Sequence, residues 1–436
     1  MSQFRFARIS LILAAIGLNA APAMLGMTAV HAEEKAAAAP EAPKDTVRPE
    51  IFKLIDPAQI KDLMAAKNYT EVKSRIDQSA AMPNLTPFET FVLNQMRVQV
   101  GSATSDNALM LPALESMIDS GRLSPKDKAN FMVAVGNIYY TSKDFEKAIV
   151  WFNRYQTETG DVAKVRPQLL RAYFFKNDYP TVKAEVLKDV AAAEQAGTAP
   201  TSDELALLGN VGIKSKDNAL YLQAVEYLVK YYPTEAYWFD LLNRTRGKPN
   251  YNQRLDLDVL RMKALVVPGR MEPDDYSDLA ELALLGGFYT EAKNALDKGF
   301  PSGQFGTGPD AAKRKKLHDQ ATKGAADDAK NIGSGEASAA KSKDGVGLVN
   351  LGYAYVTMGQ FDHGLDLMNK GIAKGVLKNP EDAKLRLGYA YVMAGRKDDA
   401  IKTLATVTGN DGRGDLARYW IMWAKNPSAP AAPAEK

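Results

Sequence analysis

The side chains that carry most enzymatic chemistry are scarce in this sequence. Cysteine is absent, and His31 falls in an apolar leader, which leaves His318 and His363. A zinc site needs several nitrogen or sulfur ligands at short, regular spacing, and a nucleophilic thiol needs a base beside it. Two distant histidines supply neither. In GQFGTGPDAAKRKK, Gly306-Thr307-Gly308 bears a faint likeness to a phosphate loop. It lacks the Gly-Lys-Ser/Thr that would grip a nucleotide, and no strand precedes it, so it reads as a plain loop. Lys313, Arg314, Lys315 and Lys316 form a basic cluster. It reads as a solvated face, with an anionic partner as the alternative. The pairs Asp274-Asp275 and Asp327-Asp328 fall at helix starts or on polar faces, where capping explains them better than acid–base work. No catalytic, cofactor or metal residue is assigned, and the chain is not expected to be an enzyme.

Composition narrows the remaining classes. The 436 residues are 46% hydrophobic and 25% charged, a globular balance over more than one ordinary domain. The first 32 residues carry Arg5 and Arg8, no acid, a mostly apolar run, and small residues at Val30 and Ala32. That is the layout of a cleavable secretory signal, with an uncleaved membrane anchor as the rival. Past it stand 53 basic against 52 acidic residues. Such a balance does not favour nucleic acid, and no later segment is apolar enough to span a bilayer. A cysteine-free exported chain fits the bacterial periplasm and must be held together by packing. Residues 33–50 read as an Ala/Pro-rich linker and 426–436 as a similar tail.

The elements that must position any binding residues come from a repeat. LGYAYVTMGQFDHGLDLM begins at Leu351 and LGYAYVMAGRKDDAIKTL at Leu387. Gly352, Tyr355, Gly359, Gly364 and Met368 in the first match Gly388, Tyr391, Gly395, Ala400 and Leu404 in the second. Gly136 with Tyr139, Ala148 and Phe152 repeats the spacing, and Leu170 follows it by 34 residues. Weaker units centre on Gly209, Leu242 and Ala280, with Ala224, Met262 and Ala292 behind them. Apolar residues recurring at three and four mark two helices per unit, with a turn between. An aromatic entering the second helix recurs at Tyr69, Phe145, Tyr179, Tyr289 and Phe361. Thr86-Pro87-Phe88-Glu89 is a capping box with proline at the first helical position. Each pair cannot bury its apolar face alone, so neighbours stack.

These residues resemble the tetratricopeptide repeat family, over about 120–301 and 345–410 with a weaker unit near 59–120. Trp238 and Leu241 match its Trp and Leu. Leu170 and Leu242 depart from it, standing where Gly or Ala is usual, and Gly212 departs at the position of a large residue. The resemblance implies an all-α, right-handed solenoid of antiparallel helix pairs. The expected divisions are an N-terminal array at 51–301, a polar helix, linker or degenerate repeat at 302–344, and C-terminal repeats at 345–425 closed by a capping helix. Within 302–344 a polar helix is expected near 309–332. The resemblance also implies a concave groove for a protein or peptide, lined by Asn137, Tyr140, Arg171, Phe174, Phe175, Tyr353, Tyr389 and Met393. The family's carboxylate-gripping Lys and Asn do not carry over, since one of those positions holds Val133, Pro167, Val349 or Leu385. The expected function is a non-catalytic periplasmic scaffold. The alternatives are an accessory of envelope assembly or of exopolysaccharide or outer-membrane export and, more remotely, a glycan binder or glycan-active protein.

Overall fold

The computed structural model describes residues 45–299, 305 and 307–425. The leader, most of the linker, Gly306 and the 426–436 tail lie outside the described residues. Among those described, every regular element is a helix. The chain forms two compact units, residues 1–185 and 186–436.

The first unit holds α1 (Pro49–Leu54), α2 (Pro57–Ala65), α3 (Tyr69–Ala80), α4 (Pro87–Thr104), α5 (Asn107–Asp119), α6 (Pro125–Thr141), α7 (Phe145–Thr159) and α8 (Arg166–Phe175). The division falls inside α9 (Tyr179–Gln195). Helices α2 and α3, α4 and α5, and α6 and α7 pair as hairpins. Two side-chain choices form each turn. The helix ends on a residue with left-handed φ, as at Lys67, Ser105, Lys143 and Asn177. An Asn or Asp then caps the next helix: the Asp144 carboxylate accepts from the Lys147 amide at 3.1 Å and Asp106 from Leu109 at 3.0 Å. The expected capping box is present. Thr86 Oγ1 accepts from the Glu89 amide at 3.1 Å, and Glu89 Oε2 accepts from the Thr86 amide at 2.9 Å. Glu89 also takes Arg48 Nη2 at 2.7 Å and Nε at 2.9 Å. Residues 48–50, expected as linker, are thus part of the folded body, since Arg48 is pinned and α1 starts at Pro49.

The second unit holds α10 (Ser202–Lys214), α11 (Asn218–Tyr231), α12 (Glu235–Thr245), α13 (Asp256–Val266), α14 (Pro273–Leu285) and α15 (Tyr289–Gly299). After them come α16 (Ala311–Asn331), α17 (Glu336–Lys341), α18 (Val346–Thr357), α19 (Phe361–Lys374), α20 (Pro380–Met393), α21 (Lys397–Leu404) and α22 (Arg413–Lys425). The repeat's small residues do what their size permits. A Cβ on Gly352 would meet the Gly364 carbonyl oxygen at 2.5 Å, so α18 and α19 touch backbone to backbone. In α10 the close approach has moved one turn along. A Cβ on Gly212 would meet the Tyr221 amide at 2.6 Å, while one on Gly209 would stand 3.7 Å from Ala224. The departure at Gly212 therefore has a steric reason.

The polar stretch expected near 309–332 is α16, and it packs on α14 and α15. The segment 302–344 is not where the chain divides. It lies inside the second unit, where a large core runs from Val225 through Phe305 and Ala321 to Ala424. Arg314 is not on a solvated face either. It is buried, donates to Asp274 Oδ1 at 2.8 Å, and lies 5.3 Å from the Phe305 ring centre. Beyond the last repeat, α22 does more than cap. It packs on α20 and α21 and also returns to α13. Tyr419, Trp420 and Trp423 are buried there, and Lys248 donates to Asp415 Oδ2 at 2.7 Å.

Candidate functional site

The eight expected groove residues separate into two groups, one in each unit. In the first unit, α6 carries Asn137 and Tyr140 and α8 carries Arg171, Phe174 and Phe175. Three of these meet. Tyr140 lies 6.3 Å from Phe175 edge-on, Phe174 lies 5.7 Å from Phe175, and Phe145 stacks on Phe175 at 5.2 Å. Phe174 continues the row to Tyr179 at 5.6 Å. Asn137 and Arg171 are half-buried, and Phe175 is 51% exposed. The row gathers at the hairpin tips, because Tyr140 and Phe175 end first helices while Phe145 and Tyr179 begin second helices. Burial pushes the Tyr140 hydroxyl above its usual range, against the opposing charge of Arg171.

In the second unit the expectation fails. Tyr353 is fully buried, not exposed in a groove. Its hydroxyl donates to Glu291 Oε1 at 2.8 Å, and its ring stands 4.8 Å from Phe288. Tyr389 and Met393 are packed against the same core, with Tyr389 4.9 Å from Trp420. The reason is the return of the chain: α13, α15 and α22 cover the face that an open stack would leave free. At the centre lies Arg261, which gives Nε and Nη2 to the two Glu291 oxygens at 2.7 Å each and Nη1 to Asp258 at 2.8 Å. Burial alone would pull this guanidinium down, but Glu291 and its neighbours hold it well above its usual value. Burial also drives the Tyr353 hydroxyl far up, so it stays protonated and keeps donating.

One charged group beside this core is not matched. Arg386, on α20, reaches over the rings of Phe288 at 5.1 Å and Tyr353 at 5.7 Å. Its Nη1 donates to Asn350 Oδ1 of α18 at 2.9 Å, while its Nε is shut off from solvent with no acceptor. Burial, then the positive charge of Arg261, pulls its pKa below the usual value. Neither Arg261 nor Arg386 is picked out by sequence periodicity. The available signal was an arginine between two core leucines, Leu385 and Leu387, in the unit whose partner copy has Asn350 at the matching place.

Helix pairs at a spacing of 34–36 residues, closed by glycine at the seam and aromatic at the second helix's entry, decide the architecture. In fold, the chain is a tetratricopeptide-type repeat protein. No family model matches the sequence, and no curated protein does. Among solved structures it is similar to the TPR2AB domain of yeast Sti1 in its pHSP90 complex, at 15% identity over 69% of this chain and 100% of that one, with a TM-score of 0.24. It is similar also to a tetratricopeptide repeat protein from Parabacteroides merdae, at 8% identity over 76% and 99% with a TM-score of 0.27. Yeast Tom70 matches at 11% identity over 86% and 96%, with a TM-score of 0.22. At these scores the architecture rests on this chain's own helix pairs. Among the described residues no helix is long and apolar enough to cross a membrane, and no three His, Cys, Asp or Glu side chains gather to hold a metal.

Proposed function

We propose that this chain is a non-catalytic interaction scaffold of the bacterial periplasm, and that its first unit holds a protein partner on the aromatic row of Tyr140, Phe145, Phe174 and Phe175. The observation that carries the reading is Phe175, an aromatic residue half open to solvent yet packed against three other rings. Rigid aromatic rings grouped at a surface provide the anchors of protein interfaces, because they bury much area at little entropic cost. The basic, then apolar, then small-residue order of the first 32 residues supports export. In-cell crosslinking of the full chain, followed by identification of the bound protein, tests the reading. Phe175→Ser with Phe174→Ala should remove one specific partner while leaving helix content unchanged. A partner set that is the same in both chains would overturn it. Fractionation of cells tests the location, which fails if the chain stays with the cytoplasm.

A further inference from the structure

Past α22 the sequence reads NPSAPAAPAEK over 426–436, with Pro427, Pro430 and Pro433 at every third place. A polyproline II helix has three residues per turn, so this spacing puts three proline rings on one face of such a helix. Six steps of about 3.1 Å run about 19 Å. Successive ring centres from Tyr140 through Phe175 and Phe174 to Tyr179 stand 6.3, 5.7 and 5.6 Å apart, so a segment of that length passes over the whole row. The earlier pair, Pro40 and Pro43, is followed at the same step by Thr46 and makes no third contact of the kind.

The row offers what such a segment needs. Asn137 and Tyr140 lie one turn apart on α6, and neither side chain has a hydrogen-bond partner among the described residues. A polyproline II backbone has no internal hydrogen bonds, so its carbonyls can accept from both, whereas the carbonyls of an α-helix are already taken. Aromatic rings are the surface on which prolines pack in this mode of recognition. Charges beside the rings are already matched: Lys176 pairs with Glu146 at 3.3 Å, and the Asp144 carboxylate caps α7. Residues 426–434 carry no charge and so need no counter-charge there. The row belongs to the first unit, whereas α22, which leads into the proline segment, is fixed in the second by its buried Trp420 and Trp423. We propose, resting on the row as a partner site, that residues 426–436 of one copy dock as an extended segment on the aromatic row of a second copy. The partner is then the chain itself. A contact between two different surfaces repeats head to tail and gives rings or open chains.

Sedimentation of the purified chain tests this. A contact of this size is weak, with a dissociation constant on the order of 100 µM. Over about tenfold either side of that concentration the average mass should climb beyond one chain. Phe175→Ser should abolish the rise. So should Pro427→Ser with Pro430→Ser and Pro433→Ser, which alters no described helix. Mixed in equal amounts, the two variants should pair, because one keeps the segment and the other keeps the row. A synthetic peptide of residues 426–436 should bind the triple proline variant saturably, and on the order of tenfold more weakly once Phe175→Ser is added. The same peptide with serine at its three prolines should not bind. A mass that stays at one chain, a rise that survives in either variant, or a mixture that stays unpaired would each overturn the proposal. Peptide binding to the triple variant while the unaltered chain remains single would put the segment on its own chain, and would overturn it too. A cellular partner lost with Phe175→Ser and Phe174→Ala but kept in the triple variant would sink the self-contact and leave the row as a partner site. A partner set unchanged by either would end both readings.

Discussion

Lys143 holds a left-handed φ of 64° between α6 and α7, at the place where Gly287, Gly359 and Gly395 stand in later units with φ of 77°, 81° and 70°. The same turn is made in two chemistries. With Lys, Asn or Ser at the left-handed position the next residue is an Asn or Asp that caps. With Gly there the next residue is Phe288, Gln360 or Arg396, and no cap is needed to force the turn. Left-handed backbone is unfavourable for a side chain with a Cβ, so Lys143→Gly should stabilise the first unit by about 0.5–1 kcal/mol in chemical denaturation; a loss of stability would refute the strain. Glu89 makes the second prediction at this scale. Its hydrogen bonds from Arg48, set against burial and helped by Thr86, hold its pKa down from 4.5 to about 2. The stability it contributes is complete above about 4.5 and is lost as pH falls toward about 2, since the unfolded chain binds the proton first. Glu89→Gln should therefore destabilise at neutral pH and make little further difference at about pH 2. An equal loss at both would show that its charge is not what matters.

Pairs of helices obey their glycines unequally. A Cβ at position 352 would strike backbone oxygen, which cannot rotate away, so Gly352→Ala should cost about 1–3 kcal/mol. At Gly209 the nearest atom is 3.7 Å away, ordinary contact distance. There Gly209→Ala should be neutral or stabilising by up to about 1 kcal/mol, because helix propensity improves and nothing collides. Thermal denaturation of both variants compares them directly, and equal effects would show that the seam is looser than drawn. The two copies of Leu-Gly-Tyr-Ala-Tyr-Val also divide at this scale. Tyr355 and Tyr391 fill seams as their spacing predicts, Tyr391 accepting from Asn369 Nδ2 at 2.9 Å and Tyr355 donating to Glu336 of α17. Tyr353 and Tyr389 point to the other face, as their spacing also predicts, but that face is covered.

In the second unit the whole depends on its last helix. Most repeat arrays interact only with nearest neighbours, so losing an end frays the end. Here α22 touches residues 174 and 192 positions earlier: the Tyr419 hydroxyl accepts from Thr245 Oγ1 at 3.4 Å, and Arg418 Nη2 donates to Glu226 at 3.2 Å. Trp420→Ala should cost about 3–5 kcal/mol. Hydrogen exchange should then show protection lost in α11–α13 as well as α20–α21. Loss confined to α20–α22 would mean the unit behaves as an open stack. The same closure changes how a Tyr353→Ala variant reads: it would leave Glu291 without one donor and a hole in the core, so a lost partner would report misfolding rather than a lost contact.

The sequence by itself determined what is local and periodic. The helix pairs, the aromatic that opens a second helix, the capping box at Thr86 and the polar helix near 309–332 are all set by residues within one or two turns of each other, and short-range sterics and hydrogen bonding leave little choice. It also grouped Tyr140, Phe174 and Phe175, since neighbouring units of constant length bring equal positions side by side. Tertiary structure alone decided which faces stay open. Whether a stack remains a groove or folds back on itself depends on small rotations between successive pairs, accumulated over many residues, and no single repeat encodes them. That accumulated turn buried Tyr353, set Arg261 among carboxylates, and left Arg386 with a buried Nε that no acceptor meets.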